Sequence, residues 1–197
     1  MKKAVSFVIA DPGKCTGCRS CELACFAAHE KNAPRTVGMI GSPVIPNLFV
    51  TRLDGEAALK MPIQCHHCED APCLASCVEG AITRNAQGVG VINAKRCIGC
   101  RNCALACPFG AVAIVDAALK AVVLKAGSVV ANAKKCDLCE GRAEGPACIT
   151  ACPNEALRAV DLAEELRNKR VAAVSGFESL ASVKSLFNNP AGRKPPL

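Results

Sequence analysis

The sequence predicts an α+β fold of short β-hairpins and short helices strung between cysteine loops, followed by a C-terminal helical extension. Three observations predict it. Sixteen of the 197 residues are cysteine, and they fall into four groups of four, each opening C-x2-C and closing C-x3-C. Three groups run on into a shared pattern, VEGAI, PFGAV and PNEAL, so the chain repeats a unit of cysteine loop, short helix and strand. Beyond residue 160 the cysteines stop, and apolar residues recur at helical spacing instead.

The elements follow in order. Ala4–Ala10 is an apolar run stopped by Asp11, Pro12 and Gly13, and reads as a strand ending in a turn. With two lysines before it, the run imitates a secretory signal, but it is too short and no cleavage motif follows. Group one is Cys15, Cys18, Cys21 and Cys25, after which Pro34, Pro43 and Pro46 forbid a long helix. Asn47–Leu53 is a strand, Asp54 and Gly55 a turn, and Ala57–Ile63 the return strand. Group two is Cys65, Cys68, Cys73 and Cys77, with its middle gap widened. Ala81–Arg84 and Val89–Ile92 form a hairpin about Asn85–Gly88. Group three is Cys97, Cys100, Cys103 and Cys107, and Ala111–Val115 with Ala121–Lys125 repeats the strand alternation. Group four is Cys136, Cys139, Cys148 and Cys152, with the widest middle gap. Asp161–Val174 reads as a helix, and a second helix starts at Ser175, with Ser175 and Glu178 as a capping box. Phe177, Leu180, Val183 and Phe187 give it an apolar stripe, and Asn188-Asn189-Pro190 ends it. The stripe either packs on its own chain or docks a partner or a second copy, in which case chains line up as a filament.

Sixteen cysteines exceed ordinary core use, so they are ligands or bridges. A disulfide scaffold needs an oxidising compartment. The lack of a signal, and of any stretch near the roughly 20 apolar residues of a membrane span, points to the cytoplasm and reduced thiols. In the spacing of groups one and three, the first three cysteines curl around one iron–sulfur cubane. The fourth, one helical turn on, points away to the other cluster of a pair. Zinc sites share the C-x2-C pair but rarely this continuation, and they often use histidine, of which only His29, His66 and His67 exist. Four groups therefore predict four [4Fe–4S] clusters. His66 and His67 read as partly exposed neighbours of group two, not ligands.

The formal charge of +7 invites a nucleic-acid reading. Four cubane cores with sixteen thiolates bring −8, however, leaving the loaded chain at about −1. Without Trp or Tyr there is also no stacking platform. Lys14, Arg19, Arg96 and Arg101, beside ligands, read as compensation for cluster charge. No Ser-His-Asp set, phosphate loop or dinucleotide fingerprint is present, which predicts an electron relay with no bond chemistry of its own.

The stretches VIADPGKCTGCRSCELAC, QCHHCEDAPCLASC, CIGCRNCALACPFGA and KCDLCEGRAEGPACITACP, across residues 5–160, resemble the four-cluster ferredoxin-type electron-transfer subunits found beside molybdenum and tungsten enzymes. The chain resembles the small iron–sulfur subunit of formate hydrogenlyase and its hydrogenase-maturation relative. It also resembles the subunits beside carbon monoxide dehydrogenase and tungsten aldehyde oxidoreductases. The resemblance implies two dicluster-ferredoxin-like modules, one inserted in the other: 1–60 with 130–160 as the outer module, 61–129 as the inner, and 161–197 as the extension. It implies four ligand sets: Cys15, Cys18, Cys21 with Cys152; Cys136, Cys139, Cys148 with Cys25; Cys65, Cys68, Cys73 with Cys107; and Cys97, Cys100, Cys103 with Cys77. It also implies a catalytic oxidoreductase partner, a tungsten or molybdenum aldehyde or formate enzyme first, and a second redox subunit. A hydrogenase or carbon monoxide dehydrogenase partner, or a free polyferredoxin or maturation donor, is the alternative.

Overall fold

The computed structural model describes residues 6–30, 36–41, 43–53, 59–116 and 131–179. The chain divides into two compact units, Met1–Val160 and Asp161–Leu197.

The first unit is built from four separate two-stranded sheets, four short α-helices and a 3-10 turn (Val37–Met39) among the described residues. Strand β1 (Ser6–Ala10) pairs with β8 (Leu157–Asp161), so the two ends of the unit are sewn together. Asp11 N–H extends the seam to Ala156 O at 2.7 Å. The antiparallel hairpins are β2 (Phe49–Arg52) with β3 (Lys60–Ile63), and β4 (Ile82–Arg84) with β5 (Gly90–Ile92). Strand β6 (Ala113–Asp116) pairs antiparallel with β7 (Ala131–Lys134). Asn85 closes the β4–β5 turn as expected of its type, its Oδ1 accepting from Gln87 N and Val89 N.

Each of the four α-helices of this unit carries a cysteine. Helix α1 (Ser20–His29) holds Cys21 and Cys25, and packs on α4 (Ala147–Thr150), which holds Cys148. Helix α2 (Pro72–Ala75), opened by a proline at its first turn, holds Cys73 and packs on α3 (Asn102–Ala106), which holds Cys103. The aliphatic core is correspondingly divided. Val8, Leu48 and Leu157 gather around Cys21, Cys25 and Cys148. Ile82, Val112 and Ile114 gather around Cys103. The sulfurs thus occupy the places that side-chain carbons hold in an ordinary core.

The strands lie where the alternation predicts them, shortened at their ends. The turn at Asp54 and Gly55 and the strand expected at Ala121–Lys125 lie outside the described residues. The partner that β6 takes is β7, which the sequence reading left unassigned. The C-terminal expectation needs correction. One helix, α5 (Leu162–Ser179), runs through Ser175 without a break. Its start is capped by Asp161, whose Oδ1 accepts from Ala163 N at 2.8 Å and Glu164 N at 3.2 Å. Ser175 Oγ instead donates back to Val171 O at 3.1 Å, the mid-helix habit of serine, so it caps nothing. The stripe side chains from Phe177 onward lie outside the described residues. No described helix is long and apolar enough to cross a membrane.

Candidate metal centres

None of the sixteen cysteines forms a disulfide. The loops that present them share one backbone device. The third residue of every opening C-x2-C is left-handed: Gly17 at φ 73°, His67 at 49°, Gly99 at 69° and Leu138 at 59°. Alternating right- and left-handed residues turn successive N–H groups into a concave nest that suits an anionic cluster. Glycine does this freely, whereas His67 and Leu138 hold the conformation at a steric cost.

A second device explains the repeated VEGAI, PFGAV and PNEAL. Gly80, Gly110 and Glu155 are left-handed, at φ 55°, 61° and 49°. Each closes a turn onto the carbonyl of the cysteine three residues back, at 3.0, 3.3 and 3.2 Å. The next residue's N–H is thereby aimed at that cysteine's sulfur: Ala81 N on Cys77 Sγ at 3.3 Å, Ala111 N on Cys107 Sγ at 3.4 Å and Ala156 N on Cys152 Sγ at 3.3 Å. Cys25, in the group without the repeat, receives Asn47 N at 3.3 Å instead. No atom lies within 4 Å of a Cβ built on Gly110, so a Gly110→Ala change is opposed by backbone strain alone. It should lower stability by about 1 kcal/mol, read as a lower urea midpoint of the anaerobic holoprotein. Glu155→Gly should shift that midpoint the other way, by less.

Three cavities open between these loops. One is walled by Cys15, Cys18, Cys21 and Cys152. A second is walled by Cys65, Cys68, Cys73 and Cys107. A third is walled by Cys97, Cys100, Cys103 and Cys77. In each, three cysteines of one group meet the closing cysteine of another. The remaining four, Cys136, Cys139, Cys148 and Cys25, are close enough to act on one another's ionisation. Burial pushes the Cys21 and Cys103 thiols up to about 11 and Cys148 up to about 12, and raises Cys136 as well. As free thiols these groups stay protonated at neutral pH, and iron binding has to displace the protons.

A model of the 4Fe-4S dicluster domain matches residues 57–162, more than half of the chain. The chain belongs to that family. Three relatives of this 4Fe-4S dicluster protein extend the likeness. The electron transport protein HydN of Escherichia coli (strain K12) is 40% identical, over 79% of this chain and 87% of its own. Hydrogenase-4 component A of the same strain is 35% identical, over 87% and 91%. The iron-sulfur protein of Rhodospirillum rubrum is 40% identical, over 79% and 82%. In the solved active-site complex BamBC of benzoyl coenzyme A reductase, a chain aligns at 20% identity with a TM-score of 0.40. The cofactor of this dicluster protein is the [4Fe–4S] cluster, in more than one copy, and its family is that of ferredoxin-type electron carriers.

The polar surroundings of the dicluster protein's cavities differ in part from the expectation. Of the four cations expected beside the clusters, Arg19 and Arg101 line the Cys15 and Cys97 cavities, whereas Lys14 and Arg96 lie on the surface; Arg19 is itself exposed and pairs with Glu22 at 3.9 Å, and Arg96 donates to Glu79 O at 2.6 Å. His66 is half-buried, stacked between Phe7 at 5.3 Å and Phe109 at 4.2 Å. His67 is not partly exposed but buried, at 2% exposure. Its left-handed backbone turns the ring inward, where Nδ1 accepts from Gly90 N at 3.2 Å. Burial first, and Lys135 second, push its pKa down to about 3, so the ring is neutral. Nε2 then carries the proton, buried without a protein partner in the wall of the Cys65 cavity. A stranded donor beside four thiols fits a sulfide-rich guest.

A buried cation that meets a cysteine sulfur is Lys135, which the sequence reading passed over. It is 5% exposed, and Nζ lies 3.4 Å from Cys65 Sγ. Nζ also donates to Gly90 O and, at 3.3 Å, to Cys136 O. Its place directly before Cys136 was the available signal. His29 was also missed. Its Nε2 meets Asp137 Oδ1 at 2.9 Å and its Nδ1 meets Cys25 O at 2.6 Å. Both partners only accept, so both nitrogens donate, and the ring's pKa is raised to about 11, by Asp137 first. Asp137 Oδ1 also takes Cys139 N at 2.9 Å, tying α1 to the fourth cysteine loop.

Proposed function

We propose that the chain relays single electrons through four [4Fe–4S] clusters between a catalytic subunit and a second redox partner. The observation that carries this is the four-cysteine wall of each cavity, contributed by two groups at a time. The ligand sets are those the family resemblance implies, with Cys25, Cys77, Cys107 and Cys152 each serving the cluster of the paired group. The outer module is then 1–60 with 130–160, and the inner one 61–129. The clusters supply one-electron chemistry. The chain's own residues fix the sulfurs, donate N–H groups to them and shield them from water.

The motif resemblance favours a tungsten or molybdenum oxidoreductase as the catalytic partner. The likeness to hydrogenase-4 component A favours a hydrogenase as the second reading. Elemental analysis of the complex that the tagged chain retains anaerobically in its native host separates them. About sixteen irons per chain with tungsten or molybdenum is the expected result. Nickel in their place moves the partner to a hydrogenase or carbon monoxide dehydrogenase, and zinc without iron overturns the relay.

A further inference from the structure

We propose that the cavity of Cys65, Cys68, Cys73 and Cys107 houses the highest-potential cluster of the chain, set by the buried Lys135 ammonium and the His67 Nε2–H. This rests on the ligand reading above. The centre is where the first electron delivered to the chain comes to rest.

A [4Fe–4S] core with four thiolates goes from −2 to −3 on reduction, so a fixed positive charge favours the reduced form. The advantage grows where water is excluded. Hydrogen bonds to the sulfurs act in the same direction. Backbone N–H donors do not distinguish the four sites, since described donors reach Cys152, Cys107, Cys77 and Cys25 alike. What differs is the charge. Lys135 is the buried lysine of the described core and touches Cys65 Sγ. Its other contacts are the neutral carbonyls of Gly90 and Cys136. Among the described residues no carboxylate pairs with it. The nearest rival, His29 beside Cys25, is offset by its own ion pair with Asp137. Arg19, in the wall of the Cys15 cavity, is 68% exposed and paired with Glu22, and Arg101, in the wall of the Cys97 cavity, is only half-buried, so water screens both more than it screens Lys135. His67 adds a second donor found at no other cavity among the described residues, an N–H buried without a protein acceptor. Lys135 thus discriminates between clusters through charge, and acts as a positioning residue on the path of the electron rather than as a ligand.

The test uses the holoprotein labelled with ¹⁵N-lysine and reduced stepwise under argon. The first paramagnetic cluster to appear should show lysine-nitrogen coupling in pulsed EPR. Lys135→Arg should lose the coupling while the first midpoint stays within about threefold in reduction equilibrium. Lys135→Gln keeps a donor and drops the charge. It should lower the first midpoint about tenfold, 59 mV for a one-electron couple, with the other midpoints unmoved. A first-reduced cluster without lysine coupling, in a chain holding about sixteen irons, overturns the inference while leaving the ligand reading standing. An iron content well below that overturns the ligand reading and this inference with it. If the Gln variant loads poorly, the labelled wild-type chain alone decides.

Discussion

Removing iron from the holoprotein under argon should abolish the cooperative fold of the unit Met1–Val160. Its helices in the described part are 10, 4, 5 and 4 residues long. Isolated helices below about 12 residues are marginal in water. Its sheets among the described residues are four separate pairs of strands, and a lone hairpin is no more stable. The aliphatic residues gather in small clusters that include the ligand cysteines themselves. With metal gone, the cavities lose what their walls converge on, and what still joins one described hairpin to the next is small aliphatic clusters such as Ile82 with Ile114 and Phe49 with Val115. Thiolate metal sites in small domains contribute on the order of 10 kcal/mol of folding free energy, more than such a core supplies. Chelation should therefore flatten the urea transition followed by circular dichroism. An iron-free chain that still unfolds cooperatively at the holoprotein's midpoint would refute this.

Cys107→Ala should destroy the cluster of group two, not of its own group three. Cys107 lies in the wall with Cys65, Cys68 and Cys73, while Cys97, Cys100 and Cys103 meet Cys77. The variant should lose about a quarter of its iron, and its remaining redox transitions should match those of Cys68→Ala. A match to Cys97→Ala would show that each group closes on itself. The reciprocal change, Cys77→Ala, should match Cys97→Ala, so the pair of variants decides the connectivity in both directions.

Much of this arrangement was legible in the sequence, because cysteine spacing and turn chemistry are local. The hairpin about Asn85, the repeat after three of the four closing cysteines and the helical turn between third and fourth cysteines all depend on residues within a few positions. What was not legible depends on packing. Lys135 and His67 differ from their neighbours Lys134 and His66 only in the direction in which the backbone turns them. For His67 that direction comes from a left-handed φ which histidine does not advertise. The break expected at Ser175 failed for a related reason. Serine signals a cap only where the preceding turn is not helical, and here the helix was already running. The partner of β6 comes from a stretch with no alternation of its own to mark it.

The seam of β1 with β8 bears on how the chain is made. Asn154 reaches back to Thr16 across 138 residues, donating from Nδ2 to its hydroxyl at 2.9 Å. The cavities of Cys65 and Cys97 need nothing from the chain beyond the β7 and Lys135 region. On the proposed ligand sets, Cys15, Cys18 and Cys21 wait on a ribosome for Cys152 for roughly ten seconds at ordinary elongation rates. The centre of the protein is ready for metal first, and its earliest-synthesised thiols are completed last. Until then those three sulfurs are open to oxidants and to the wrong metals, and a cell making this chain has most need of reducing conditions during that interval.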